Sequence, residues 1–190
     1  RTIARIEEIL AEAGAKAIGK NYTAGKLASI TFQMSMDGRD ALIRPVFGDD
    51  VNVARWVGER VGISDFGPCS AIGFVKDEEP IAGVVFNNWH APSDPGLMEA
   101  TIASTSPRWC NRATLGVIFG YVFNQVGCRR LTATTEAKNQ PVRAFLCHLG
   151  FREEGVIRQG FPNDDAVIHG MLRGECRWLR ARTTDEECAA

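Results

Sequence analysis

The chain has 190 residues, enough for one full-sized domain with an appendage and too few for two ordinary domains. With 45% hydrophobic and 24% charged residues, its composition is that of a soluble globular protein, and no apolar run reaches the roughly 18 residues of a membrane span. A formal net charge of −1 provides no overall attraction for nucleic acid or anionic lipid.

In chain order, residues 3–13 place Ile3, Ile6, Ile9, Leu10 and Ala13 on one helical face, with Gly14 as a stop. Ala17–Tyr22, Lys26–Met36 and Asp40–Val46 read as short strands joined by turns. This opening piece is too small to bury a core alone, so it is expected to dock on the rest of the chain or on another subunit. Asp49–Val61 reads as a helix in which Asp49 or Asp50 caps the first turn. Cys69–Val75 and Ile81–Asn88 form a hairpin about the polar turn Lys76–Glu79, and Leu97–Ala103 is a further strand. Ala113–Gln125 carries Leu115, Ile118, Phe119 and Val122 at helical spacing and stops at Gly127. A strand comes next at Arg130–Thr135, then a helix at Gln140–Leu149 with Pro141 in its first turn and Gly150 as its stop. Gly155–Phe161 and Ala166–Leu172 are a closing pair of strands. The expected layout is α/β, with a small helix-and-strand module over 1–40, a domain over 41–180 and a polar tail over 181–190.

The six cysteines, at 69, 110, 128, 147, 176 and 188, have no close partner in sequence, which disfavours a zinc ribbon or redox motif. The first eight residues lack the apolar centre of a secretory signal, so reduced thiols and a cytoplasmic location are expected. Three separated histidines without an H-x-x-x-H pattern imply no metal site.

The junction between Leu97–Ala103 and the next helix bears on function. A helix start offers unpaired amides and a positive dipole end to an anion. Arg108 and Arg112 add guanidinium groups suited to phosphate. A solvated helix start with two surface arginines explains the loop equally well.

Arg108-Trp109-Cys110-Asn111-Arg112-Ala113 resembles the Q/R-x-x-G-x-G/A loop of the GNAT superfamily of N-acetyltransferases, with Asn111 in place of a glycine. Asn139 through Leu149-Gly150-Phe151 is similar to that family's Asn-started helix ending in Leu-Gly-Phe, and Ile43-Arg44-Pro45 with Asp50 resembles its opening. The resemblance implies a mixed, mostly antiparallel GNAT-type sheet flanked by helices over about 41–180. It further implies acetyl-CoA as cosubstrate, with transfer to an amine by direct attack on the thioester. Ile102 and Ala103 would present backbone groups to the pantetheine arm, and Arg108, Trp109, Cys110, Asn111, Arg112 and Ala113 would hold the pyrophosphate. Asn139 would hydrogen-bond the arm, cap its helix, or do both.

Glu99 is the first choice for the base, since family members often carry a carboxylate on this strand; otherwise it is a solvent-facing glutamate. The tyrosine acid of many members is replaced by Leu146. His90 is the second catalytic candidate, at a strand mouth where an acceptor would enter, with Cys147, His148 and His169 as weaker ones. The acceptor classes, in order, are a peptide or protein amino group, a small amine and a nucleic-acid base. A module of the same fold that binds coenzyme A or a macromolecular partner without catalysis is the rival reading, favoured by Asn111 and Leu146.

Overall fold

The computed structural model describes residues 17–23, 26–36, 39–89 and 96–179. The expected helix over 3–13, the tail over 181–190 and His90 lie outside the described residues. The strands are β1 Ala17–Thr23, β2 Lys26–Met36, β3 Arg39–Val46, β4 Ser70–Lys76, β5 Glu79–Asn87, β6 Leu97–Ser104, β7 Arg130–Glu136, β8 Arg152–Phe161 and β9 Asp164–Leu172. The helices are α1 Asp50–Val61, α2 Arg112–Gly120 and α3 Gln140–Leu149.

All nine strands form one sheet in the order β1-β2-β3-β4-β5-β6-β7-β9-β8. Every neighbouring pair is antiparallel except β6 and β7, which run parallel. The expected mixed, mostly antiparallel sheet flanked by helices is therefore present. The opening strands extend it at one edge, since β2 pairs with β3 and β3 joins β4 from Arg44↔Val75 to Val46↔Gly73.

Strand side chains alternate between faces, and the two faces bury different helices. On one face Val57 of α1 packs with Ala71, Val85 and Ala103. On the other, Phe74, Val84, Phe86 and Met98 meet Leu115, Ile118, Phe119 and Val122 from α2 and its extension, and Leu146 and Leu149 from α3. α1 lies close against the sheet because glycine stands beneath it: a Cβ on Gly83 would come 2.7 Å from Val57 Cγ2. The expected side-chain cap of α1 is not made. Asp49 instead takes a hydrogen bond from the Asn52 side chain at 2.7 Å, and Asp50 takes one from the Ala71 amide at 2.6 Å.

Ala113–Gly120 is buried on all sides, the pattern of a helix enclosed by core. Its continuation, Tyr121–Val126, winds as a π-helix up to Gly127, where a uniform α-helix is expected from the sequence. Apolar spacing over six residues cannot separate the two windings. α3 ends where Gly150 adopts φ 110°, a left-handed angle that glycine accepts without strain. β8 begins at Arg152, earlier than expected, because Arg152 and Glu153 pair with Gly170 and His169 before a register shift at Glu154. After β9 the chain makes two 3-10 turns, and Trp178 Nε1 donates to the Leu149 carbonyl at 2.7 Å, closing the end of α3.

Candidate active site

The parallel pairing of β6 with β7 covers only Leu97↔Arg130, Met98↔Leu131 and Glu99↔Thr132. Beyond that the strands part, although β6 stays paired with β5 up to Ser104 and β7 with β9 up to Glu136. The result is a wedge-shaped opening in the sheet, with Glu99 and Thr132 at its apex. Because the two strands are parallel, the loops that leave them, 105–111 and 137–139, both lie at the wide end.

The wall on the β6 side is an open strand edge. Thr105 donates its amide to Ile81 O at 2.9 Å. Counting back by twos along an antiparallel ladder, Ala103, Thr101 and Glu99 also turn their main-chain groups toward β5. Ala100 and Ile102 turn theirs toward the opening. Of the two residues expected to meet the donor's arm, Ile102 thus turns its main chain to the opening and Ala103 turns its own to Gly83, with its side chain buried beneath α1.

Glu99 is half-buried, across from Asn87 on β5. Asn88 Nδ2 donates to its Oε2 at 2.7 Å, from a residue with φ 52°. Glu99 shares its face with Thr101 and Ala103, the face carrying α1, by the alternation of the strand. On β7, Thr135 lies past the apex and is buried, and its Oγ1 has no hydrogen-bond partner. A buried hydroxyl is rarely left so.

At the wide end, Asn139 caps α3 by accepting from the Val142 amide at 3.3 Å. The start of α2 differs from expectation. Asn111 Oδ1 accepts from the amides of Ala113 at 3.0 Å and Thr114 at 3.1 Å, while the Asn111 amide donates to Thr114 Oγ1 at 3.1 Å. The Thr114 hydroxyl in turn donates to the Trp109 carbonyl, and the Cys110 amide donates to Pro107 O at 3.2 Å. The indole of Trp109 is buried, its ring 6.0 Å from Phe74 and 6.3 Å from Phe145, so its side chain belongs to the core rather than to a ligand. Cys110 is half-buried and burial pushes its thiol pKa up. Arg108 is exposed and Arg112 half-buried.

The remaining acid candidates do not gather at the apex. Leu146 is buried in the core, and Cys147 and His148 are exposed on α3. His169 is fully buried on β9, with Nδ1 3.2 Å from Val167 O and Nε2 3.5 Å from Glu153 Oε1. Tyr121 is half-buried against Phe86, where burial pushes its pKa up. Among the described residues no cluster of three or more His, Cys, Asp or Glu could hold a metal ion, and no helix is long and apolar enough to cross a membrane.

No family model matches the sequence, and neither does any curated protein. Solved structures do resemble it. A ribosomal-protein-S5-alanine acetyltransferase from Vibrio fischeri superposes with a TM-score of 0.56 at 10% identity, covering 76% of this chain and 98% of that one. A GNAT-family acetyltransferase from Streptococcus pneumoniae gives 0.54 at 15% identity, covering 68% and 98%. The fold is that of the GNAT acetyltransferases. A third GNAT-fold neighbour, Mycobacterium smegmatis RimJ in complex with CoA-disulfide, gives 0.53 at 15% identity over 70% of this chain and 83% of that one.

Within this GNAT fold the sequence reading misses two residues, Asn88 and Thr135. Asn88 lies eleven positions from the carboxylate it contacts, and only the hairpin register brings them together. Thr135 sits in Thr132-Ala133-Thr134-Thr135, where alternation with the buried Leu131 and Ala133 is the one sequence clue that its hydroxyl turns inward.

Proposed function

We propose that the chain is an acetyl-CoA-dependent N-acetyltransferase, with Glu99 as general base. The observation that carries this reading is the wedge between β6 and β7, opening immediately beyond Glu99 and Thr132. An open strand edge at Ala100 and Ile102 and an unpartnered Thr135 hydroxyl suit an extended, amide-bearing pantetheine arm. The fit is good for the arm and poor for the diphosphate: among the residues expected to hold it, Ala113 already donates its amide to Asn111 Oδ1, as does Thr114 beside it.

In the reaction proposed, a neutral amine attacks the thioester carbonyl carbon and forms the N–C bond. The developing oxyanion is met by a main-chain N–H of the open β6 edge. Glu99 takes the ammonium proton, directly or through a water, and its hydrogen bond from Asn88 fixes the carboxylate's orientation. The C–S bond then breaks, and the thiolate is protonated by water.

The acceptor is read as a peptide or protein amino group, then a small amine. One structural neighbour bears the name ribosomal-protein-S5-alanine acetyltransferase, which supports the first class. A cytoplasmic location goes with that acceptor. The domain carrying the activity is taken as 41–180. Release of free thiol from acetyl-CoA in the presence of a panel of peptides and amines tests the proposal. No release above hydrolysis with any acceptor leaves the second reading, a coenzyme A-binding or partner-binding module without turnover. Leu146, buried where many members of the family carry a tyrosine acid, favours that second reading.

A further inference from the structure

We infer that the Asn111 carboxamide is an internal competitor for the diphosphate of the acyl donor, so that this chain recognises its donor chiefly through the pantetheine thioester in the wedge. The inference rests on the acyltransferase reading above and concerns how the same cleft chooses its donor.

Most of the main-chain donors at the start of α2 are already committed. A helix start ordinarily has several amides without intrahelical partners, which is what makes it attractive to an anion. Here the amides of Ala113 and Thr114 both donate to Asn111 Oδ1, at 3.0 and 3.1 Å. The Asn111 amide donates to Thr114 Oγ1 and to Trp109 O, the Cys110 amide to Pro107 O, and the Leu115 amide to Asn111 O at 3.0 Å. Asn111 holds an extended backbone, φ −132° and ψ 170°, from which its side chain reaches forward over the first turn. Thr114, fully buried, ties the same turn back to the Trp109 carbonyl, and Trp109 is anchored in the core. A phosphate oxygen aimed at the Ala113 and Thr114 amides therefore has to expel Oδ1 first.

The arm end of the wedge is the opposite case. There the Thr135 hydroxyl is buried and unpartnered, and the strand edge of Ala100 and Ile102 is open. Polar groups lack partners where a pantetheine amide would lie and are satisfied where a diphosphate would lie. A charge-assisted bond to phosphate is stronger than a neutral cap, so the diphosphate is not excluded. Its contribution is reduced by what the cap is worth.

Calorimetric titration of coenzyme A and of pantetheine into the full chain and into the variants N111G and N111D tests this. Glycine and aspartate both serve at an N-cap, so both variants keep the helix start. N111G is expected to bind coenzyme A about two- to threefold more tightly, because glycine removes the competing acceptor at little cost to the helix start. Its affinity for pantetheine, which carries no phosphate, is unchanged. N111D keeps the cap and adds a negative charge, and is expected to weaken coenzyme A binding by about tenfold or more while leaving pantetheine unchanged. Weaker or unchanged binding of coenzyme A to N111G, or equal shifts for both thiols, overturns the inference. If the unmodified chain binds neither thiol, the acyltransferase reading falls, and this inference falls with it.

Discussion

Glu99 and Thr132 are the last residues of β6 and β7 to face one another before the sheet opens. The Glu99 carboxylate at that apex accepts from Asn88 Nδ2 at 2.7 Å, and in the proposed reaction it takes the amine's proton. Replacing Glu99 by Gln keeps the size and the hydrogen-bonding shape but removes the base. Turnover is expected to fall by about 10²-fold or more, with coenzyme A affinity nearly intact. Steady-state rates beside calorimetric affinities check this, and unchanged turnover returns Glu99 to a solvent-facing role.

Coenzyme A is expected to raise the melting temperature of the chain. At a concentration about 100 times the dissociation constant, binding to the folded state alone adds roughly 2.7 kcal/mol. A thermal melt at millimolar coenzyme A that matches the unliganded curve, with a blank titration, removes the central reading.

Much of this fold is legible in the sequence. Gly62, Gly127 and Gly150 end their helices at left-handed angles, and the chain punctuation therefore marks element boundaries well. The strand Leu97–Ala103 and the helix start after it can be placed because the period of apolar residues changes there from two to nearly four. The behaviour of Asn111 is not legible. An asparagine at a helix start can bond its own backbone or leave those amides to a ligand, and that choice depends on the anchoring of Trp109 and Thr114 in the core. The wedge is also hidden, since where β6 leaves β7 is set by the longer pairing of β7 with β9, far along the chain.

Gly83→Ala tests the close seat of α1. The added methyl would stand 2.7 Å from Val57 Cγ2 and 3.2 Å from Val53 Cγ1, with Val57 fully buried. Helix and sheet must separate, at a cost of about 1–3 kcal/mol. Chemical denaturation reads the loss directly, and a variant as stable as the parent shows that α1 yields without strain.

Acid should weaken the β8 side of the sheet. Hydrogen bonds from Arg143 hold the Glu153 carboxyl below its ordinary value of 4.5, and those from Arg130 do the same for Glu154. Arg143 reaches Glu153 with two bonds of 2.7 and 2.9 Å, and Arg130 Nη1 reaches Glu154 at 2.9 Å. A carboxyl whose folded pKa is depressed stabilises the fold fully above its unfolded value, and that contribution is lost as pH falls through the folded one. Stability is expected to decline below about pH 4.5 and to do so less steeply in E153Q and E154Q. Both carboxylates are more than a third exposed, so each effect is small. Denaturation midpoints measured between about pH 3 and about pH 7 show whether the slopes differ.

Cys147 and His148 are exposed on α3, while Leu146 between them and the core cannot donate a proton. A thiolate leaves readily with water as the proton source. Ala at either position is therefore expected to cost less than about tenfold in turnover, against the roughly 10²–10⁴-fold that general acid catalysis supplies where it operates. A larger drop in a folded variant with normal coenzyme A affinity identifies an acid on α3.

The short parallel contact between β6 and β7 has a consequence for how the chain assembles and opens. From β1 to β6 each strand pairs with the one before it, and β7, β8 and β9 form a second antiparallel group. Those local pairings can form early, whereas the three parallel pairs joining the groups must wait for α2 to cross between them. The seam expected to close last has only three register pairs to lose, as few as join β3 to β4. Amide exchange should find Arg130 and Thr132, whose main-chain groups turn toward β6, less protected than the β4–β5 hairpin, so the breathing of the sheet runs along the line that a ligand would enter.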